Sequence, residues 1–467
     1  MRSALLALCA VLLWLVAPYW LQEGMFMDGQ IYAAVSQNLA DGLGSFWAPV
    51  YQPSSPVPYS EQLPLFTGME SLFFRLLGGS VWTERVFMAV AWIATAMGLC
   101  ALQVTWWPER GRDSAIWMVT VWSSAPLVGW GMGNHVQEMW MAPFAVWAVV
   151  AMSHSCWVWL GGLLTVAAAL FKGPQGLFPL VWLPLLGGLG LLPRLAATRR
   201  FGVVLMLLGL AAVALWLWDD AREAIERNAG NRLVRTFTQA RAVTTADRLW
   251  LLGPMLGQWA VLLGASLAVA WIRFGSLRAT LDRRVLAMLA LGLSASLPLM
   301  VTHEQRDFYV ITSLPFVALG LGNLWGGAKL VRSPRFAWIL GMIALVGLSS
   351  LPWRRVERDA ELRASLQSFE GAFAPRSAFN VVPELRLNHE LAAYAMRLYR
   401  WEVDLANERE HANRIELDSA TEEAVEQFTA LNDASRLADT ALLAAQSREL
   451  AEKVMALEQQ AYQLAGQ

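Results

Sequence analysis

Five charged side chains have the types needed to act together on an anionic substrate, although they lie far apart along the chain. Three are acids and two are bases: Asp28, Glu61, Glu138, Lys172 and Arg306. A carboxylate can accept a proton from an attacking hydroxyl, and a nearby cation can stabilise a leaving phosphate. Arginine offers phosphate a planar fork of donors. These residue types predict a reaction on a phosphate-bearing lipid, provided that the fold brings five separate connections together.

Asp28 and Lys172 stand in the most informative contexts. Asp28 precedes an apolar helical periodicity, so it is a helix N-cap, a carboxylate held at the membrane surface, or both. Lys172 ends an apolar run in a chain whose basic residues are mostly arginine. A charge in that position is expected to be functional, with a snorkelling lysine as the alternative. Gly173 and Pro174 then break the helix and free backbone N–H groups for an anion.

The other three charges have two interpretations each. Glu61 lies at the entry of a second predicted helix in the membrane interface, where it is either a cap or a site carboxylate. Glu138 closes the polar run 134–138 between two short apolar stretches. Arg306 belongs to the run 303–307 before a later apolar stretch. Each of these two runs is either a solvated turn or part of a site.

The composition requires membrane-spanning helices to position these side chains. Of the 467 residues, 56% are hydrophobic and 16% are charged, whereas soluble proteins carry about 25% charged residues. This excludes an ordinary cytosolic enzyme. The net charge of −1 gives no indication of nucleic-acid binding, and the three cysteines lie in apolar runs, which predicts no disulfide framework. The pair Asp219-Asp220 is weak evidence for a metal site, and the His and Cys spacings predict no zinc.

Apolar runs predict an all-α polytopic membrane protein with about eleven transmembrane helices. The first resembles a secretory signal but is followed by bulky residues, so we expect it to remain as a span. The predicted runs are 3–21, 81–105, 114–131, 136–152, 156–171, 175–192, 201–218, 249–271, 285–301, 308–325 and 336–351.

Basic residues concentrate in alternate loops, which predicts an N-terminus inside and all five site charges on the outer face. The longer outer segments are then 22–80, which contains amphipathic helices, 219–248, and a mostly helical tail. We expect a transmembrane catalytic domain at 1–351 and a periplasmic C-terminal region at 352–467. Leucines recur every seven residues near the end of the tail, at Leu443, Leu450, Leu457 and Leu464. They predict an amphipathic helix that packs on its own protein or a coiled coil with a partner.

Four stretches carry a family resemblance, in this order: Asp28–Pro49, Glu61–Leu65, Lys172–Pro179 and Arg306–Phe316. Together they resemble the GT-C type membrane glycosyltransferases. The chain is most similar to the bacterial branch related to protein O-mannosyltransferases and the lipid A aminoarabinose transferase (glycosyltransferase family 39-like), over about residues 20–350. Two positions depart from that pattern, because Gln62 stands where the family often has His or Lys and Leu63 replaces a proline.

The resemblance implies transfer of a monosaccharide from a polyprenyl-phosphate donor to a lipid, glycan or protein acceptor, at the periplasmic face of the bacterial inner membrane. Asp28 would be the catalytic carboxylate and Glu138 a second acid, while Lys172 and Arg306 would bind the donor phosphate. Residues implied to line the pocket are Glu61, Gln62, Tyr32 and His303. No cofactor and no nucleotide-sugar donor is expected. No metal is clearly required, although a divalent ion stays open.

Two other functions remain as alternatives. A lipid flippase or transporter would carry ionisable residues in the middle of its spans and would show repeat symmetry. The apolar runs contain almost no such charges and no repeat is visible, which favours the enzyme. A degenerate relative that only binds a lipid-linked sugar is kept open by Gln62 and Leu63.

Overall fold

The computed structural model is a predominantly helical protein. It describes residues 2–53, 57–111, 113–230, 252–274, 281–301, 306–325, 358–367, 370–371, 374–380 and 389–404. Its α-helices up to residue 228 are α1 (Arg2–Val11), α2 (Ala17–Trp20), α3 (Met27–Ala40), α4 (Leu65–Leu77), α5 (Val81–Trp106), α6 (Asp113–Ser123), α7 (Pro126–Asn134), α8 (Glu138–Ser153), α9 (Val158–Lys172), α10 (Trp182–Gly188), α11 (Arg194–Leu217) and α12 (Asp219–Asn228).

The remaining described elements complete the bundle and form a C-terminal segment. They are α13 (Leu252–Phe274), α14 (Arg283–Ser296), α15 (Leu314–Leu324), α16 (Ala360–Gln367), β1 (Ala378–Asn380), α17 (His389–Tyr394) and β2 (Glu402–Asp404). Short 3₁₀ segments lie at Pro108–Arg110, Ser155–Trp157, Gly173–Val181, Leu297–Val301 and Asp307–Ser313, and π-helical turns at Leu12–Val16 and Ala395–Tyr399.

Five described helical segments are long and apolar enough to cross a membrane. They are Val81–Trp106, Ser155–Gly188, Arg194–Leu217, Leu252–Ala270 and Asp307–Leu324, with Ala4–Trp20 and Glu138–Ser153 as shorter apolar helices. The predicted run 114–131 is divided, because Pro126 begins a new helix after α6. The predicted span 336–351 lies outside the described residues. The apolar helices agree with a multi-pass protein, while the count of eleven stays a prediction.

Glycines let α7 pack tightly on the first helix, the name used below for the continuous segment of α1, the π-helical turn and α2 (Arg2–Trp20). A Cβ at Gly129 would lie 2.2 Å from the carbonyl oxygen of Leu15, and one at Gly133 would lie 2.3 Å from that of Tyr19. The four-residue spacing places both glycines on one face, which is the small-residue pattern that allows close helix contact in membranes. This contact fixes the end of α7, and with it the turn that leads into α8.

Polar contacts collect in two separate regions of the bundle. In one, Arg110 donates to the carbonyl oxygens of Asn323 and Trp325, at 2.9 Å each, and Arg284 pairs with Glu109 at 2.9 Å. In the other, the three predicted outer segments meet. Asn228 of α12 donates to the carbonyl oxygen of Ser60 (2.9 Å), and the C-terminal segment contacts α3. The grouping agrees with the predicted division of loops, although which side faces the periplasm stays a prediction.

The helix α4 has the amphipathic character predicted for the membrane interface. It begins after Pro64 and buries Phe66 and Phe74 on one face. Its opposite face exposes Leu72 and Leu76. An exposed apolar stripe beside a buried one suits a helix that lies between lipid and protein.

The prediction that the fold is all-α needs one correction. In the C-terminal segment β1 and β2 form a two-stranded parallel sheet, with Ala378 paired to Glu402. A small separate core surrounds it, built around Leu366, Tyr394 and Trp401. The leucine repeat near the end of the chain lies outside the described residues.

The contact between α7 and the first helix predicts a local stability effect. Replacement Gly129→Ala should destabilise the protein by about 1–3 kcal/mol, because the added methyl group overlaps a backbone carbonyl that cannot move aside. The matched control is Gly264→Ala in α13, where a Cβ meets nothing within 4 Å. Thermal unfolding in detergent measures both, and equal melting temperatures would contradict the proposed contact.

Candidate functional site

Asp28 is held in the first turn of α3 by a contact from another helix. The residue before the helix is Phe26, whose backbone N–H donates to Oδ1 of Asn134 at 2.8 Å. The interpretation of Asp28 as the N-cap is therefore wrong, because its carboxylate lies two residues inside that position. Oδ1 of Asn134, at the end of α7, satisfies the N–H of the N-cap residue itself, which has no acceptor within the helix. This leaves the Asp28 carboxylate available for another role.

The start of α3 lies directly against the turn between α7 and α8. A Cβ at Gly29 would approach the carbonyl oxygen of Asn134 to 2.4 Å, so this position requires glycine. The turn itself depends on His135, which adopts a left-handed conformation with φ 58°. Since α8 begins three residues later at Glu138, this contact brings the Asp28 and Glu138 segments together.

Glu138 and Lys172 form a buried ion pair. Nζ of Lys172 donates to Oε1 of Glu138, and their side chains are 10% and 1% exposed, respectively. The ammonium also lies 3.6 Å from the ring centroid of Tyr309, a favourable position for a cation over an aromatic face. The alternatives of a snorkelling lysine and of a solvated turn at 134–138 are both wrong. Asn134, His135, Gln137 and Glu138 are all fully buried.

Arg306 lies at the edge of the same region. It is exposed and immediately precedes the 3₁₀ segment Asp307–Ser313. The next aromatic residue, Phe308, stacks on Trp130 at 5.5 Å and contacts Phe26 at 5.8 Å. These ring contacts attach the Arg306 segment to the start of α3. His303 lies outside the described residues.

Glu61, Gln62 and Tyr32 line one side of the site. Nε2 of Gln62 donates to the hydroxyl of Tyr32 at 3.2 Å, and both side chains are buried. Tyr32 lies one helical turn after Asp28, so Gln62 supports α3 through a neutral hydrogen bond. Glu61 is exposed and precedes Pro64, the residue before α4, so it is not the cap of that helix.

The electrostatic environment of Asp28 links all five predicted charges. Burial raises the pKa of the Asp28 carboxyl above its ordinary value, and the charges of Glu61 and Glu138 raise it further. Arg306 and Lys172 act in the opposite direction, and the net result is a raised pKa. The predicted charges thus converge close enough to perturb one another. A carboxylate with a raised pKa beside two cations is suited to accept a proton next to an anion.

Sequence reasoning did not assign roles to three other buried polar residues. Asn134 positions α3, and Nε2 of His135 lies 2.7 Å from Oε1 of Glu70 with both side chains fully buried. Tyr309 faces Lys172. The signals were the polar run 134–138 and the aromatic pair after Arg306, but neither pattern reveals a partner.

The structure gives no support for a metal at Asp219 and Asp220. Asp219 is exposed and accepts a hydrogen bond from Arg222 at 2.6 Å within α12. Among the residues that the structure describes, no three His, Cys, Asp or Glu side chains are grouped so as to hold a metal ion.

Comparisons with known proteins identify the fold. No family model matches the chain, and no curated protein matches it. The solved structure of ArnT from Cupriavidus metallidurans in the apo state is similar, with a TM-score of 0.60 and 13% identity over 84% of this chain and 83% of that one. The same protein bound to undecaprenyl phosphate gives 0.57 and 14% identity, over 84% of each chain.

A weaker likeness exists to the archaeal oligosaccharyltransferase AglB from Archaeoglobus fulgidus, in complex with an inhibitory peptide and a dolichol-phosphate. Its TM-score is 0.45 at 11% identity, over 87% of this chain and 64% of that one, and no argument rests on it. The likeness to ArnT confirms the GT-C fold that the sequence resemblance predicts.

The buried pair predicts that removing one of its charges destabilises the protein more than removing both. Glu138→Gln should destabilise the protein by about 3–5 kcal/mol, because Lys172 would keep a buried charge without its counter-ion. The double variant Glu138→Gln/Lys172→Met should recover most of that loss. Glu223→Gln, which removes an exposed pair with Arg227, is the control and should cost less than about 1 kcal/mol. Thermal unfolding in detergent measures the stability of all three variants. A double variant that is less stable than Glu138→Gln alone would contradict the prediction.

Proposed function

We propose that the protein is a membrane glycosyltransferase that transfers a monosaccharide from a polyprenyl-phosphate-linked donor to an acceptor hydroxyl outside the cytoplasm. The observation that carries the proposal is the placement of the start of the Asp28 helix against the turn that leads to the buried Glu138–Lys172 pair. Burial raises the pKa of the Asp28 carboxyl there, while Arg306 and Lys172 act to lower it. The fold shared with ArnT supports it, since that protein has been solved bound to undecaprenyl phosphate. At 14% identity the likeness concerns the fold, and the two cations near Asp28 are what suits this site to a phosphate-bearing donor.

The proposed reaction assigns a role to each charged group. The Asp28 carboxylate accepts the proton of the acceptor hydroxyl while that oxygen attacks the anomeric carbon of the sugar. The bond between the anomeric carbon and the phosphate oxygen breaks, and polyprenyl phosphate leaves with the electron pair. Lys172 and Arg306 stabilise the negative charge on the departing phosphate.

Glu138 receives a different role from the second acid implied by the family resemblance. Its carboxylate is buried and paired with the Lys172 ammonium, so it acts through that lysine. In our proposal Glu138 orients the ammonium towards the phosphate, together with the Tyr309 ring at 3.6 Å. Glu138 partly neutralises Lys172, whereas Arg306 forms no ion pair with the residues that the structure describes, so Arg306 is the stronger positive charge in this proposal.

The domain assignment and membrane orientation belong to the same proposal. Residues 1–351 would form the catalytic transmembrane domain and 352–467 a periplasmic region, with the site facing the periplasm of a bacterial inner membrane. The distribution of basic loops supports this orientation. In this proposal the sugar is a hexose or a pentose, and the acceptor is a lipid, glycan or protein.

Turnover should depend on the proposed base and the proposed phosphate ligand. Asp28→Asn and Lys172→Ala should each lower the rate at least about 100-fold, because one removes the proton acceptor and the other a leaving-group cation. The assay uses purified protein in liposomes with a panel of polyprenyl-phosphate monosaccharides, and follows release of free polyprenyl phosphate. Asp220→Asn on the exposed α12 is the matched control.

Near-normal rates in both site variants would contradict the site assignment. Release from no donor, with the lipid still bound, would favour a degenerate binding protein. Movement of intact donor across the bilayer would favour a flippase. Size-exclusion profiles in detergent confirm that each variant is folded.

The pH profile should respond to a neighbour of Asp28. A general base is active when ionised, so activity is lost as the pH falls through the raised pKa of Asp28. Glu61 contributes to that raised value. Glu61→Gln should therefore lower the pKa and shift the acidic limb of kcat/KM to lower pH. Glu109→Gln, which removes an exposed partner of Arg284 in the other polar region, is the control. An unmoved limb in Glu61→Gln would remove Asp28 as the titrating base.

A further inference from the structure

A buried tyrosine of the C-terminal segment contacts the chain just before α3. The hydroxyl of Tyr394 accepts a hydrogen bond from the backbone N–H of Met25 at 2.9 Å and donates to Oδ2 of Asp359 at 2.7 Å. Met25 lies three residues before Asp28. A Cβ at Gly24 would come within 2.5 Å of the same hydroxyl, so the chain passes directly beneath it. The path into the catalytic helix is thereby set by a residue 369 positions away.

Arg358 reinforces the same point from a second direction. Its Nη1 donates to Oδ1 of Asn134 at 2.5 Å. That oxygen also accepts the N–H of Phe26, the residue that precedes α3. The C-terminal segment therefore contacts both the chain that enters α3 and the Asn134 side chain, which binds the N-cap residue Phe26.

Arg397 secures the other half of α3. Its side chain is 1% exposed, and the guanidinium donates to Oε1 of Gln37 at 2.7 Å, to the carbonyl oxygen of Gly79 at 3.2 Å and to the carboxylate of Glu84. One buried cation thus connects α3 to the beginning of α5. Burying a guanidinium is costly unless its donors are satisfied, so this network demands one arrangement of the three elements.

An exposed ion pair closes the arrangement at the end of α3. Nη2 of Arg400 lies 2.9 Å from Oδ2 of Asp41, the residue that follows the helix. The C-terminal segment thus binds α3 before its first residue, near its last turn and at its end. These contacts follow one helix and two of the residues involved, Tyr394 and Arg397, are buried. A segment that only covered the bundle would not need such contacts.

We propose that the contacts made by Arg358, Tyr394, Arg397 and Arg400 act as a clamp on α3, in which Tyr394 and Arg397 are positioning residues that hold Asp28 against the Glu138–Lys172 pair. The inference rests on the proposed function for its catalytic consequence. The clamp itself concerns how firmly α3 is held in place, whatever reaction the protein catalyses. Small displacements of a catalytic group have large effects on rate, which is why a distant segment can control turnover.

The test compares two tyrosines of the same segment. Tyr394→Phe removes the hydroxyl but keeps the ring in its small apolar core. Tyr399→Phe is the matched control, because Tyr399 stacks on Trp401 at 4.5 Å and makes no described hydrogen bond to α3. Two quantities are measured on the full-length protein in liposomes or nanodiscs. One is hydrogen–deuterium exchange of residues 25–40, and the other is kcat and KM for release of polyprenyl phosphate.

Tyr394→Phe should speed exchange at the start of α3 by roughly tenfold and lower kcat by roughly tenfold, with donor KM nearly unchanged. In an Asp28→Asn background it should cause no further loss of rate, since it acts through Asp28. A general loss of folded protein would instead lower both backgrounds equally. Arg397→Lys, which keeps the charge but not the fork of donors, should show the same pattern.

Unchanged exchange in Tyr394→Phe, or an equal increase in Tyr399→Phe, would overturn the clamp. Faster exchange with a normal kcat would overturn its positioning role. If the wild type releases no polyprenyl phosphate from any donor, the proposed function fails. Exchange at α3 then decides the clamp alone, with an increase confined to Tyr394→Phe supporting it and no increase rejecting it.

Discussion

The buried ion pair between Glu138 and Lys172 constrains the architecture of the site. Two charges removed from water are tolerated only when their partners are well placed, since desolvation otherwise exceeds their attraction. Here the pair joins the first residue of α8 to the last residue of α9, with the Tyr309 ring against the ammonium. After Lys172 the chain turns at Gly173, whose φ of 67° suits glycine. The start of α8, the end of α9 and the Tyr309 ring must therefore meet at one place.

The remaining contacts bring the Asp28 carboxylate to that place. Asn134 shares one oxygen among the N–H of Phe26, the amide of Gln22 and the guanidinium of Arg358. It thereby connects the end of the first helix, the start of α3 and the C-terminal segment. The turn at Asn134 leads directly into α8, whose first residue is Glu138. A displacement of α3 would therefore change the position of Asp28 relative to the Glu138–Lys172 pair. The position of Asp28 and its distance from the charges of Glu138 and Lys172 are consequently coupled.

Much of this was predictable from the sequence, for a simple physical reason. The predicted alternation of apolar runs with loops would place every second connection at the same end of the bundle, which is why the sequence predicts all five charges on one face. The partner of Lys172 did not follow. Between Glu138 and Ser153 at its two ends, α8 is apolar and is buried on nearly every side, so hydrophobic periodicity carries no information on its rotation. Strands of three residues, such as β1, are likewise too short to leave an alternating pattern.

The charge balance of the site also implies a link between donor binding and base strength. In the proposed site, Lys172 and Arg306 lower the pKa of Asp28 against the larger effects of burial, Glu61 and Glu138, which raise it. A phosphate bound by the two cations would compensate their charge and add its own, so the pKa of Asp28 would rise further. The carboxylate would then be a stronger base while the donor is in place. It would weaken again when polyprenyl phosphate departs, so proton acceptance is favoured at the stage when an acceptor hydroxyl must be deprotonated.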